Sequence, residues 1–299
     1  VDIRRLEVFC KVVELKSFTK AAEAALLSQP SVSEHIRVLE DTLGEKLIDR
    51  LGREVAPTQA GQILFQYARQ IIRLRDEAQQ AIQEFRGNLS GQLNLGASTI
   101  PGAFLLPKSI ESFKLHHPTI QVLLKISGTS SIVEGVLDAT LELGVIGAAW
   151  KDPRLEGEDL FSDELILTVY PDHPWAGRSS VSLAELHEEP FIFRERGSGT
   201  RMVMTDALKS AGVDPAKFKQ VAEMGSSEAV RQGIKARIGV SILSSLSIAE
   251  DLKLGTLVQV PIEGVRMPRS FYLVKRRNRQ LSPLALAFYE HLLQKYKEK

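Results

Sequence analysis

The stretch SQPSVSEHIRVLEDTLG, Ser28 to Gly44, places Val32, Ile36, Leu39 and Leu43 four, three and four residues apart. That spacing predicts a helix with one buried stripe. The opposite face opens with Gln29, Pro30, Ser31 and Ser33, short polar side chains where a solvated helix more often carries Lys, Glu or Ala. Ser28 is a fitting N-cap, and Pro30 is tolerated in the first turn. Upstream, Leu6, Phe9 and Val13 mark one helix, and Ser17 caps a second, FTKAAEAALL, whose alanines let a neighbour cross closely. Downstream, GEKLIDRLGREVAPT reads as a small hairpin with Arg50 and Arg53 at its tip.

Three short helices followed by a hairpin suit a helix-turn-helix, in which the first turns of the third helix meet base edges in the major groove. Gln29 suits adenine, and Ser31 and Ser33 suit bases or phosphate. Arg37, one turn on, suits guanine or phosphate, and His35 lies beside these positions. Charge gives such a unit little bulk attraction to a polyanion. Residues 1–57 carry nine Lys and Arg against ten Asp and Glu, and the whole chain of 299 residues has a formal net charge of +1. Nucleic-acid affinity would have to come from placed side chains and from pairing of subunits.

Beyond the hairpin, Ala60, Leu64, Tyr67, Ile71, Leu74, Ala78, Ala81 and Phe85 recur at alternating spacings of four and three. A seam this narrow predicts a long helix paired with a partner helix, hence a homodimer. From Gln92 onward, apolar strands such as QLNLGAST, QVLLKISG, ELILTVYP and RSFYLVK alternate with helical stretches, an α/β pattern expected to be mainly parallel.

The run FTKAAEAALLSQPSVSEHIRVLEDTLGEKLIDR, followed by PTQAGQILFQYARQI, resembles the N-terminal region of LysR-type transcriptional regulators, and the likeness extends in order over the whole chain. It implies an α/β protein with an N-terminal winged helix-turn-helix (1–58), a linker dimerisation helix (59–88) and an effector-binding domain (89–299). The last would resemble a periplasmic binding protein, with subdomain I at about 90–161 and 267–299 and subdomain II at about 162–266. The implied partners are double-stranded promoter DNA, a second or fourth copy of the chain, and a small effector. Glu34 stands where such proteins often carry Arg, Lys or another hydrogen-bonding residue. It would either accept from cytosine N4 or turn along the helix to Arg37 or Lys46.

Under that fold the effector sits where strands end and helices begin. Three such junctions carry hydroxyls: Ser98 with Thr99, Thr129 with Ser130, and Ser198 with Thr200 in RERGSGTR, where Gly197 and Gly199 allow close backbone approach. Together they point to an anion or acidic metabolite. Arg201 would pair with a ligand carboxylate, sulfate or phosphate, or make a structural salt bridge. The GSGTR segment resembles the branch containing the cysteine-biosynthesis and carbon-fixation regulators.

Other chemistries find no support. The chain has no GxxxxGK[ST], HExxH or GxSxG motif and a single cysteine, Cys10, inside the first helical pattern, so no catalytic residues are expected. His116 and His117 precede Pro118 without carboxylates or thiols at ligand spacing, and neither metal nor cofactor is expected. The first residues are charged throughout, and the longest uncharged run is broken by Gly, Ser, Asn and Pro. Neither a secretory leader nor a membrane span is expected, and the cytoplasm is the default compartment.

Overall fold

Side-chain caps define the first three helices. Asp2 accepts from the Arg4 N–H ahead of α1 (Ile3–Leu15), Ser17 from Lys20 ahead of α2 (Phe18–Ala25), and Ser28 from Ser31 ahead of α3 (Gln29–Leu43). Lys16, Leu26 and Gly44, all left-handed, end them. The computed structural model describes residues 2–51, 54–85 and 91–297. Strands β1 (Ile48–Leu51) and β2 (Glu54–Pro57) pair antiparallel as the hairpin, and α4 (Gln59–Phe85) follows. The described residues fall into two compact units, the first running through α4 and taking in Asp138–Thr140, the second formed by the rest from β3 (Gly91–Ser98) onward.

In the first unit Leu6, Phe9, Ala21, Val32, Ile36 and Leu39 form the core. Cys10 is buried there, and burial together with Glu14 and Glu7 pushes its thiol up to about 12. The stripe of α3 differs from the sequence reading at its end. Leu43 is exposed at the last turn, and Glu40 turns inward instead. Its carboxylate accepts from the Leu47 N–H (2.9 Å), the Ile48 N–H (3.4 Å) and Lys46 Nζ (2.7 Å), tying α3 to β1. Gly61 sits where a Cβ would lie 2.0 Å from the Leu47 carbonyl, so no side chain fits where α4 meets the hairpin.

Helix α4 also divides its apolar residues differently from a seven-residue seam. Ala60, Leu64, Phe65, Ala68 and Ile72 pack on the core of their own unit, whereas Ile63, Tyr67, Ile71, Leu74 and Ile82 are exposed. The first turns are thus used locally: Ala60 and Leu64 of the expected seam pack on their own unit, Tyr67, Ile71 and Leu74 of the same seam stay exposed, and the side chains of Ala81 and Phe85 lie outside the described residues.

The second unit continues with α5 (Leu106–His116), β4 (Ile120–Ser127), α6 (Thr129–Leu137), β5 (Leu143–Ile146), β6 (Leu155–Val169), β7 (Phe191–Arg194), α7 (Gly199–Ser210), β8 (Gln220–Met224), α8 (Ser227–Lys235), β9 (Ser241–Ser244), α9 (Ala249–Leu254), β10 (Val258–Val260), β11 (Met267–Arg276) and α10 (Pro283–Lys297). Strand β3 lies between β4 and β5, parallel to both, and β7 is parallel to β8. All pairings of β6 and β11 are antiparallel, including β6 with β9 and β10. The mainly parallel sheet expected from the sequence is therefore mixed. Two strands cross between the halves in opposite senses, and alternation along a strand carries no information about its partner's direction. The largest buried cluster gathers Leu95, Phe113, Phe271 and Phe288, and the next gathers Leu167, Phe191, Phe193 and Met204. Among the described residues no helix is long and apolar enough to cross a membrane.

The crossing strands are locked by charge. Asp163 of β6 and Arg269 of β11 are register partners, with side chains 0% and 2% exposed. Arg269 Nε and Nη2 donate to Asp163 Oδ2 at 2.9 and 2.7 Å, and Ser244 and Ser245 donate to the same carboxylate. Burial lowers the Arg269 pKa, and the attraction of Asp163 opposes the shift.

Asp163→Ala should therefore destabilise the protein by about 3–5 kcal/mol, because it strands a buried cation. Adding Arg269→Met should recover most of that loss in chemical denaturation. In the first unit, burial raises the Glu40 carboxyl, but Lys46 and the two N–H groups outweigh it and hold it below its ordinary value. Its stabilisation is present at neutral pH and disappears as pH falls through that lowered value. Glu40→Ala should cost about 1–3 kcal/mol at neutral pH, and the deficit against wild type should shrink in acid.

Candidate DNA-facing helix and effector pocket

The free face of α3 is a network of short contacts. Ser28 Oγ and Ser31 Oγ lie 2.8 Å apart, and Gln29 Nε2 donates to Ser33 Oγ (3.3 Å). Arg37 is held from both sides: Nε and Nη2 donate to Glu34 (2.9 and 2.6 Å), and Nη1 donates to Asp41 (2.7 Å). Of the two directions open to Glu34, the structure shows the one along the helix to Arg37. The hydrogen bond from Arg37 holds the Glu34 carboxyl below its ordinary value. Pro30, Ser31, Glu34, His35 and Val38 line an open groove together with Arg5, which the sequence reading passed over because Arg5 lies on another helix. The backbone of Arg50 is in β1, but its side chain and all of Arg53 lie outside the described residues.

In the second unit, the parallel strands β4, β3 and β5 end at one edge, so their exits converge. Ser98, Thr99 and Ile100 at the end of β3, Ser127, Gly128 and Thr129 at the end of β4, and Gly147 after β5 face Arg194, Ser198, Gly199, Thr200 and Arg269 across a small pocket. The N-termini of α6 and α7 open onto it. Gly199 lies where a Cβ would come within 2.8 Å of Thr129 Oγ1 and 3.1 Å of the Gly147 carbonyl, so only glycine lets α7 begin this close. Thr129 is fully buried, and among the described residues its Oγ1 has no hydrogen-bond partner.

Two buried guanidiniums form the pocket wall. Arg194 pairs with Glu195 through Nε and Nη2 (both 2.8 Å), and its Nη1 reaches Ser227 Oγ (2.5 Å) and Thr99 Oγ1 (3.4 Å). Arg269 Nη1 donates to Thr200 Oγ1 (3.2 Å). Sequence reasoning missed both arginines, although a signal existed. In MPRSFYL, Arg269 shares the inward alternation of Met267, Phe271 and Leu273, and Asp163 falls in step with Phe161 and Leu165.

Six of the eight expected effector residues meet in the pocket: Ser98, Thr99, Thr129, Ser198, Gly199 and Thr200. The other two serve its frame. Ser130 donates through N and Oγ to the Gly197 carbonyl (3.4 and 3.3 Å). Arg201 Nη1 donates to the Arg194 carbonyl (2.7 Å) and to Glu223 (2.6 Å), with its guanidinium over the Phe193 ring. Of the two roles open to Arg201, this is the structural one. Among the described residues no group of His, Cys, Asp and Glu is placed to hold a metal.

Comparison with known proteins identifies the family of each domain. Residues 3–62 match the family described as bacterial regulatory helix-turn-helix protein, lysR family, and residues 86–297 match the LysR substrate binding domain. The RuBisCO operon transcriptional regulator of Allochromatium vinosum is 35% identical over 98% of this chain and 96% of its own length. The regulatory domain of CcmR from Synechocystis PCC6803, solved in complex with 2-PG, is 27% identical with a TM-score of 0.64, covering 70% of this chain and 98% of that one. CbnR, solved in full length with its target DNA, shares the fold at 23% identity and a TM-score of 0.71, covering 98% and 99% of the two chains. The Allochromatium vinosum relative is named a transcriptional regulator rather than an enzyme, and the RuBisCO operon lies on the carbon-fixation side of the expected branch. With helix-turn-helix and effector domain both matched in order, the chain belongs to the LysR family of transcriptional regulators.

Proposed function

We propose that this protein is an effector-responsive regulator of the cytoplasm. Residues 1–58 read promoter DNA, residues 59–88 pair chains into a homo-oligomer, and residues 89–299 bind a small anionic effector. The observation that carries this reading is the pocket itself, where hydroxyls, two helix N-termini and two buried guanidiniums converge on one small space. Such a lining offers hydrogen-bond donors and positive partial charge, which suit an oxyanion. CcmR, solved with 2-PG, supports an effector in the corresponding domain.

On the DNA side, Gln29, Pro30, Ser31, Ser33, Glu34, His35 and Arg37 are the proposed reading surface, with Arg50 and Arg53 reaching the flanking backbone or minor groove. Arg37 spends part of its charge on Glu34 and Asp41, so affinity leans on two copies acting together. The exposed stripe Ile63, Tyr67, Ile71, Leu74 and Ile82 on α4 is the surface proposed to bring them together.

Ser33→Ala combined with Arg37→Ala should abolish specific footprints on the operator while sedimentation shows an unchanged oligomer. For the effector, a thermal-shift screen of the full chain against sulfate, phosphate and small phosphorylated or carboxylic acids should find a stabilising anion. Mass action gives about 2.7 kcal/mol at roughly a hundredfold excess over Kd, and Thr200→Ala should remove the shift. No stabilisation across the panel would redirect the search toward uncharged effectors.

A further inference from the structure

We propose that Arg5 of α1 is a DNA-contacting residue which, beside His35 of α3, holds one phosphate of the backbone that flanks the reading face. This rests on the reading of α3 as the DNA-facing helix and adds a contact from a second helix.

Three arginines precede the hairpin, and two are already spent inside the protein. Arg4 donates to the Ala25 carbonyl (3.0 Å) and pairs with Glu7 (3.3 Å). Arg37 is held by Glu34 and Asp41. Among the described residues the Arg5 guanidinium has no hydrogen-bond or ion-pair partner. Its charge still reaches Glu34, whose carboxyl is lowered first by the Arg37 hydrogen bond and least by Arg5.

Placement gives this free cation a use. Ser31, His35 and Val38 run along one side of α3 and form an open groove with Arg5, Pro30 and Glu34. Gln29, Ser33 and Arg37, each four residues from the next, make a separate stripe of the same helix. A major groove about 12 Å wide admits a helix of about 10–12 Å and little more, so a seated α3 has a phosphate backbone along each flank. The flank beside α1 presents Arg5 together with His35, whose ring carries at least one N–H and has no hydrogen-bond partner among the described residues. Glu34 is the one carboxylate lining this groove. Arg37 binds both of its oxygens, which offsets its repulsion of a phosphate. A guanidinium placed there holds the backbone in position without reading a base.

The test uses the full-length protein with two probes, mixed-sequence duplex DNA and the duplex that the wild type enriches from a random pool, each titrated over a salt series. Arg5→Gln should weaken both by a similar factor, about tenfold for each half-site occupied. It should also flatten the fall of log K with log salt by about 0.9 for each half-site. Arg5→Lys should restore most of that slope. Arg4→Gln, which removes the same formal charge from an arginine already engaged, should leave the slope unchanged. Arg5 has no partner to lose, so Arg5→Gln should melt with the wild type.

An unchanged slope in Arg5→Gln, or an equal loss in Arg4→Gln, would overturn the contact and leave the reading of α3 standing. Weaker binding of the enriched duplex alone, with mixed-sequence DNA unaffected, would make Arg5 a base contact and overturn the phosphate. If Ser33→Ala with Arg37→Ala kept the full preference for the enriched duplex, the reading of α3 would fail and the Arg5 contact with it.

Discussion

The pairing of Asp163 with Arg269 is the constraint on which the effector unit depends. Each residue sits on a strand that crosses between the halves, and they face each other in register. A guanidinium 2% exposed cannot stay charged there without a carboxylate beside it. Asp163 also gathers Ser244 from β9 and Ser245 after it, while Arg269 reaches Thr200 at the start of α7. One ion pair thus joins both crossing strands, a neighbouring strand and the pocket wall. Such pairs contribute little net stability compared with an apolar replacement, but they are costly to break. Its value here lies in holding a donor-bearing helix start at a set distance from the strand ends opposite.

The N-terminal unit uses the same device on a smaller scale. Glu40, buried on α3, accepts two backbone N–H groups at the entry to the hairpin. The helix proposed to enter the groove and the wing proposed to flank it are therefore fixed relative to each other by a carboxylate rather than by apolar packing alone. Arg37 on the outer face is neutralised in part by its own helix. The proposed recognition by such a surface would rest on short polar side chains and on two copies bound together, in keeping with the low net charge of this segment.

The family resemblance and the local patterns agreed because both rest on the same short-range chemistry. Serine caps, the stripe of α3, the hairpin and the apolar strands are each written within a few residues. The three hydroxyl junctions were legible for the same reason: a strand end, a Ser or Thr and a helix start are consecutive in the chain. The pocket arginines were not. Arg269 meets Asp163 across 106 residues and Thr200 across 69, and only the register of the sheet places those groups within hydrogen-bond distance. Arg201 looked like a ligand residue from its place in GSGTR, yet the turn of α7 carries it back onto Glu223 and the Phe193 ring.

What the sequence determined by itself was the order of elements, their caps and periods, and the hydroxyls that begin three helices, because these follow from interactions between near neighbours. Tertiary structure decided the directions of the crossing strands, the inward turn of Glu40, which face of α4 is left bare, and the two guanidiniums behind the pocket. Those depend on which distant segments pair and which charges must be compensated once water is removed. Neither question has an answer in local spacing, because desolvation becomes costly only where packing has closed around a group.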